Sequence, residues 1–307
     1  MKSFKEFFGV IKEGGNAVSG VGRIHQDNVD ATLQDIYSTI LPKIGITQKN
    51  TALLGSTGKK ISGAGLTKAG SSGDVDLAIS FDALMKASDA KTRDEVFDYV
   101  ASKIKSFGYD MKVMKGIGVI SIAFPISNTN NEQENAKVQL DLMPVPSIKW
   151  AEFAFFSPHE KDSVYGGMYR NEIFAGVVKF KDLKITMKAL DKAGLEVNAE
   201  WERNFLALDQ GILRGIQSKI GKKGLTKNHK TISKEFKLND PEQVVKMFFG
   251  PSFKPSDIMT FEQMWKAVNS PKFNNKKNLQ KILEFAADGI VSKGQPLPPE
   301  MKKYTTK

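Results

Sequence analysis

Two apolar runs broken by aspartate constrain this 307-residue chain more than any other feature. In Asp74-Val75-Asp76-Leu77-Ala78-Ile79, polar and apolar residues alternate at the start, which is the period of a half-exposed strand and sets both aspartates on one face. A second run, Lys137 to Val145, reads as another strand with Asp141 at its centre, in Val138-Gln139-Leu140-Asp141-Leu142. Alternate strand residues point to the same side, so a strand lying alongside the first could deliver Asp141 to the point that Asp74 and Asp76 already address.

The surrounding pattern predicts a mixed α/β, α+β first half. Asp27 or Asn28 can cap a helix whose apolar positions Val29, Leu33, Ile36, Tyr37, Ile40 and Leu41 recur at helical spacing until Pro42. Thr51 to Leu54 is a short apolar strand ending at Gly55-Ser56, and Lys59 to Gly73 supplies a Gly/Ser/Lys-rich loop. Thr92-Arg93-Asp94-Glu95 has capping-box spacing, and the stripe Val96, Val100, Ile104, Phe107 follows it to Gly108. Gly118 to Phe124 reads as a further strand, joined to Lys137–Val145 through a polar loop. From about Trp150 the period changes: Trp201, Phe205, Leu208, Ile212, Ile216 and Ile220, then Met259 to Val268 and Leu279 to Ile290, predict a mainly helical second domain. The expected organisation is a leader over 1–27, a catalytic domain over 28–149, a helical basic domain over 150–292 and a partly mobile tail over 293–307.

Composition narrows the chemistry. Apolar residues at 40% and charged ones at 26% belong to a globular chain, and no run approaches the roughly 18 apolar residues of a membrane helix, so a cytoplasmic setting and no membrane partner are expected. With no cysteine and only three histidines, His25, His159 and His229, a bound metal should be a hard, oxygen-liganded one. The formal charge of +11 is uneven. Residues 1–150 hold 18 Lys+Arg against 16 Asp+Glu, and residues 151–307 hold 27 against 18, so +9 of it lies in the second half. That imbalance favours a polyanionic partner through phosphate contacts, or simply solubility.

An apolar strand ending in Gly55-Ser56, an Asp74-x-Asp76 strand and a later strand carrying Asp141 together resemble the DNA polymerase β-type nucleotidyltransferase superfamily, over about residues 28–146. The resemblance implies a palm-like mixed sheet with flanking helices. It implies two magnesium ions, or manganese, held by Asp74, Asp76 and Asp141, with the first two bridging the metals and Asp141 helping to deprotonate the attacking hydroxyl. At the GS turn, Gly55 lets the backbone approach a phosphate of the nucleoside triphosphate and Ser56 adds a hydroxyl donor. Lys59, outside the family's pattern, is close enough in sequence to neutralise the leaving pyrophosphate. The stretch from Ser56 to Asp74 is longer and richer in glycine than the family's usual connection. A Walker A loop at Gly58-Lys59 fails on spacing, since it would need glycine at Leu53 and a hydroxyl residue at Lys60.

In the second half, Tyr165 or Tyr169 could stack on a base and Arg170 contact a phosphate, or the segment could be a helix start with its aromatics turned inward. The basic stretch Lys219 to Lys237, including Lys219, Lys222, Lys223, Lys227 and Lys230, either contacts a nucleic-acid backbone or is a solvated connection. The reaction expected is transfer of a nucleoside monophosphate to a nucleic-acid 3′ end, with RNA or tRNA favoured. A protein or small-molecule hydroxyl is the alternative acceptor, and a catalytically silent nucleic-acid-binding protein is a third reading. Nothing in the sequence specifies an oligomeric state.

Overall fold

A computed structural model describes residues 17–55, 57, 70–127, 136–155, 165–181, 199–208, 210–220 and 228–305, with backbone alone over 199–205, 213–220 and 228–237. The chain divides into two compact units, Met1–Asp162 and Ser163–Lys307.

The first unit is built on a five-stranded sheet in the order β2-β4-β7-β6-β5, comprising β2 (Thr51–Leu54), β4 (Asp74–Ser80), β5 (Met111–Met114), β6 (Val119–Pro125) and β7 (Lys137–Val145). Only β4 and β7 run parallel; the other neighbours are antiparallel. A two-stranded ribbon pairs β1 (Ile24–His25) with β3 (Ser71–Ser72). Helices α1 (Gln26–Asp35), α2 (Phe81–Ser88), α3 (Arg93–Lys105) and α4 (Ile148–Phe155) complete the unit.

Strand alternation divides the sheet into two unlike faces. Val75, Leu77 and Ile79 of β4, Ile120, Ile122 and Phe124 of β6, and Val138, Leu140 and Leu142 of β7 form one continuous core with Val29, Leu33 and Ile36 and with Val96, Phe97, Val100 and Ile104 of α3. The opposite face carries Asp74, Asp76, Gln139 and Asp141 toward one end. At the other end Ala78, Met143 and Val145 pack with Leu54 and with Ala151 of α4. The polar patch is therefore one end of a face whose other end is sealed by apolar packing.

The expected helices form for the expected reasons. Thr92 caps α3 by accepting from Glu95 N at 3.3 Å, and α3 buries Val96, Val100 and Ile104. α1 begins slightly earlier than the sequence suggests: His25 is its cap, with Nδ1 accepting from Asp27 N, and a π-helical turn, Ile36–Ile40, carries the helix on toward Pro42. The segment before α1 is knitted into the unit. Gly22 N donates to Lys137 O at 2.9 Å, and Ile24 is fully buried.

The second unit combines α5 (Gly167–Lys179), α6 (Pro241–Phe248), α7 (Phe261–Asn269) and α8 (Leu279–Ser292) with a three-stranded antiparallel sheet of β8 (Ala199–Ala207), β9 (Gly211–Ile220) and β10 (Asn228–Leu238). The helices expected at 259–268 and 279–290 are α7 and α8. The expected helix through 201–220 is instead the β8–β9 hairpin, so a small sheet accompanies the helices of the second unit. A four-residue apolar spacing fits a strand's period of two as well as a helix's 3.6, so positions 208, 212, 216 and 220 did not discriminate. Gly211 decides the matter: its φ of 111° suits a chain reversal, and a Cβ there would stand 2.6 Å from Leu238 O. Within the basic stretch 219–237, Lys219 and Lys230 lie on paired strands, opposite His229 and Ser218. Residues of the tail expected to be partly mobile make defined contacts. Met301 is fully buried, Tyr169 Oη donates to Pro296 O at 3.0 Å, and Tyr304 meets Trp265 edge-on with centroids 6.3 Å apart.

Candidate metal centre

Register brings the three carboxylates together. In the parallel β4–β7 pair, Asp76 stands opposite Asp141 and Asp74 opposite Gln139. In the antiparallel β6–β7 pair, Ser121 stands opposite Asp141. Leu54, the last residue of β2, is opposite Asp76. One row thus crosses four strands, Leu54, Asp76, Asp141 and Ser121, and Asp74 lies two residues along β4 on the same face. Each aspartate offers a carboxylate oxygen within 4.8 Å of those offered by the other two, and all three side chains are half-buried.

Such a cluster is electrostatically unfavourable by itself. Burial, followed by repulsion from Asp141, pushes Asp74 up to about 6, with Arg23 pulling the other way. Burial, then Asp74 and Asp141, raise Asp76 well above the usual carboxylate range. Asp141 is raised by burial, with Ser121 and Gln139 opposing. Crowded carboxylates disfavour their own ionised forms, and a divalent cation would supply the missing counter-charge. The donor set fits a hard ion: it consists of carboxylate oxygens without sulfur or imidazole, the ligand type of magnesium, manganese and calcium.

The scaffold around the cluster is tightly specified. Thr57, fully buried, and Ser72 both donate to Asp74 O, at 2.9 and 2.8 Å, and so fix the backbone where β4 begins. Gly55 has φ 58°, and any Cβ there would collide with Asp76 Oδ2. The glycine of the GS turn is thus needed for the carboxylate's position. Gln139 Nε2 donates to both oxygens of Asp141 at 3.0 Å. Arg23 donates through Nε to Ser71 Oγ at 2.8 Å and through Nη2 to Ser71 O at 2.7 Å.

Of the residues expected at the site, Asp74, Asp76, Asp141 and Gly55 come together. Ser56 and Lys59 lie outside the described residues, as do Lys222, Lys223 and Lys227. Lys219 and Lys230 are strand positions of the second unit. Arg170, expected to contact nucleotide, is instead 2% exposed inside the second unit, where Nε donates to Ile258 O at 2.7 Å and Nη1 to Asn171 Oδ1 at 3.1 Å. Tyr169 is also turned inward, its ring 6.2 Å from that of Phe261. Sequence reading passed over Gln139, Ser121, Thr57, Ser72 and Arg23. Gln139 left a signal, as a polar residue two before Asp141 in an apolar strand. Ser121 left none, because its place depends on cross-strand register.

The carboxylates stand as the polymerase β-type resemblance implies, two on one strand and the third on a neighbouring strand, in a mixed sheet. No family model matches the sequence, and neither does any curated protein. Among solved structures, the chain is similar to Leishmania infantum polymerase beta in a ternary P/T complex, at 12% identity and a TM-score of 0.39, with 77% of this chain and 76% of that chain covered. Among the described residues, no helix is long and apolar enough to cross a membrane.

Proposed function

We propose that this protein is a divalent-metal-dependent nucleotidyltransferase that moves a nucleoside monophosphate from a nucleoside triphosphate to a nucleic-acid 3′ end, with RNA or tRNA favoured as acceptor. The observation that carries the reading is the strand-borne triad Asp74, Asp76 and Asp141, with oxygens within 4.8 Å of one another. Asp74 and Asp76 would hold a pair of magnesium or manganese ions between them, and Asp141 would complete the ligand set. When bound, those ions neutralise charge on the triphosphate and lower the proton affinity of the acceptor hydroxyl. Asp141 takes the hydroxyl proton while the oxygen bonds to the α-phosphorus. The bond from that phosphorus to the bridging oxygen breaks, and pyrophosphate leaves with the electron pair. Gly55 and Ser56 offer backbone and hydroxyl donors to the departing phosphates, and Lys59 offers them a positive charge.

The acceptor is read from charge. The +9 balance of residues 151–307, including Lys219, Lys222, Lys223, Lys227 and Lys230, favours a polyanion over a neutral small molecule or a protein. Purified protein incubated with α-labelled triphosphates, magnesium and an RNA pool should yield label that ribonuclease removes. Label that resists ribonuclease and stays on a protein would reassign the acceptor to a side-chain hydroxyl. Salt-sensitive RNA binding without any transfer or metal binding would leave a silent nucleic-acid-binding protein.

A further inference from the structure

We propose that Gln139 is a positioning residue for the metal ligand Asp141, and that the N-terminal arm over residues 17–25 sets its orientation and so forms part of the metal site. The inference rests on the divalent-metal reading above and extends it to residues outside the carboxylate triad.

The contacts form a chain. Ala17 N donates to Gln139 Oε1 at 2.7 Å, and Gln139 Nε2 donates to both oxygens of Asp141 at 3.0 Å. Gln139 is only 3% exposed, so water has little access to replace either contact. Together the two contacts permit a single amide orientation. Turning the side chain over would set its NH2 against the Ala17 N–H and its carbonyl oxygen against a carboxylate. Donation to both oxygens also restrains rotation of the Asp141 carboxylate about its last bond, which is otherwise a soft torsion. An amide does this without neutralising the charge, as lysine or arginine would, so the full negative charge remains available to a cation. Removing a group that orients a metal ligand typically costs about 10–100-fold in metal affinity.

The arm that supplies Ala17 N is fastened at several points. Gly22 N donates to Lys137 O at 2.9 Å and bridges Val138 in parallel, one residue from Gln139 along β7. Ile24 and His25 pair with Ser72 and Ser71, two and three residues before Asp74, and Arg23 is held by both Oγ and O of Ser71. The arm therefore touches both sources of the triad. It reaches Asp141 through Gln139, and it abuts β4 through β3.

The test uses the full chain and Mn2+ affinity, followed by the electron paramagnetic resonance signal of the free ion. Ala17→Pro deletes the N–H donor and also fixes φ at that position, and Gln139→Leu deletes the amide; Gln139→Met serves if the leucine variant does not fold. Each single variant is expected to weaken Mn2+ binding about tenfold, while the double variant is no weaker than Gln139→Leu alone, since the arm acts through the amide. Wild-type affinity in both single variants would overturn the proposal. So would an Ala17→Pro effect that persists undiminished in the Gln139→Leu background. Absence of Mn2+ binding in the wild type would instead remove the metal reading itself, which separates the two failures.

Discussion

Asp74 and Asp76 are held by the fold in surroundings that disfavour their charge, and this has a sign that can be measured. Their folded-state proton affinities exceed those of the unfolded chain, so the metal-free folded protein binds more protons than the unfolded one. The associated stability is fully present below the ordinary aspartate range. It is lost as pH rises through about 6 for Asp74, and as pH rises well past the usual carboxylate range for Asp76. Without divalent metal, the melting temperature should therefore fall between pH 5 and pH 8, by a few degrees for a loss on the order of 1 kcal/mol. Magnesium should restore the loss, and the gap between melts with magnesium and with chelator should widen as pH rises. Asp76→Asn should raise the metal-free melting temperature at pH 7.5 and abolish the magnesium response. A gap independent of pH, or an unchanged response in the asparagine variant, would count against a metal-binding cluster.

Gly55 makes a second prediction at the same scale. Gly55→Ala places a Cβ against Asp76 Oδ2 at a backbone φ of 58°. It should cost about 1 kcal/mol from the left-handed conformation alone. It should also weaken Mn2+ binding about tenfold by displacing the carboxylate. Wild-type affinity in that variant would show that the turn can move aside.

Among elements, α3 illustrates what the sequence makes plain. Thr92, Glu95 and the stripe Val96, Val100, Ile104 lie within one local segment, and local capping and periodicity suffice to specify the helix. Thr92→Ala should lower stability by about 1 kcal/mol and leave Mn2+ affinity unchanged, as thermal melts and metal titration would show. The strands carrying the aspartates were equally legible, because alternation is also local. Their register was not. That Asp76 faces Asp141, with Ser121 beyond it, depends on pairing between segments separated by up to 65 positions along the chain. No short-range pattern encodes that alignment. The arm was missed for the same reason, since Ala17 and Gln139 are 122 positions apart. The β8–β9 hairpin shows the converse error. Its four-residue apolar spacing satisfied two periods at once, and a single glycine at 211, reinforced by close approach to Leu238 O, separated them.

At the level of the whole molecule, charge is unevenly shared between the two halves of the sequence, and the excess of +9 over residues 151–307 should appear as counterion release on binding RNA. Affinity for single-stranded RNA should fall linearly in log–log form with salt. Replacing Lys222, Lys223 and Lys227 by alanine should reduce the slope by about 2, at roughly 0.7 per phosphate contact. An unaltered slope in a titration followed by fluorescence anisotropy would move the contact elsewhere on the protein.

We propose that Asp74, Asp76 and Asp141 form a metal centre for nucleotidyl transfer. Its most direct test is transfer of label from an α-labelled nucleoside triphosphate, with release of pyrophosphate, by the wild type and by Asp74→Ala and Asp76→Ala variants in the presence of magnesium. The wild type should label an acceptor, and each variant should fall to background while chelator abolishes the wild-type signal. No transfer by the wild type with any of the four triphosphates, or equal transfer by the alanine variants, would contradict it.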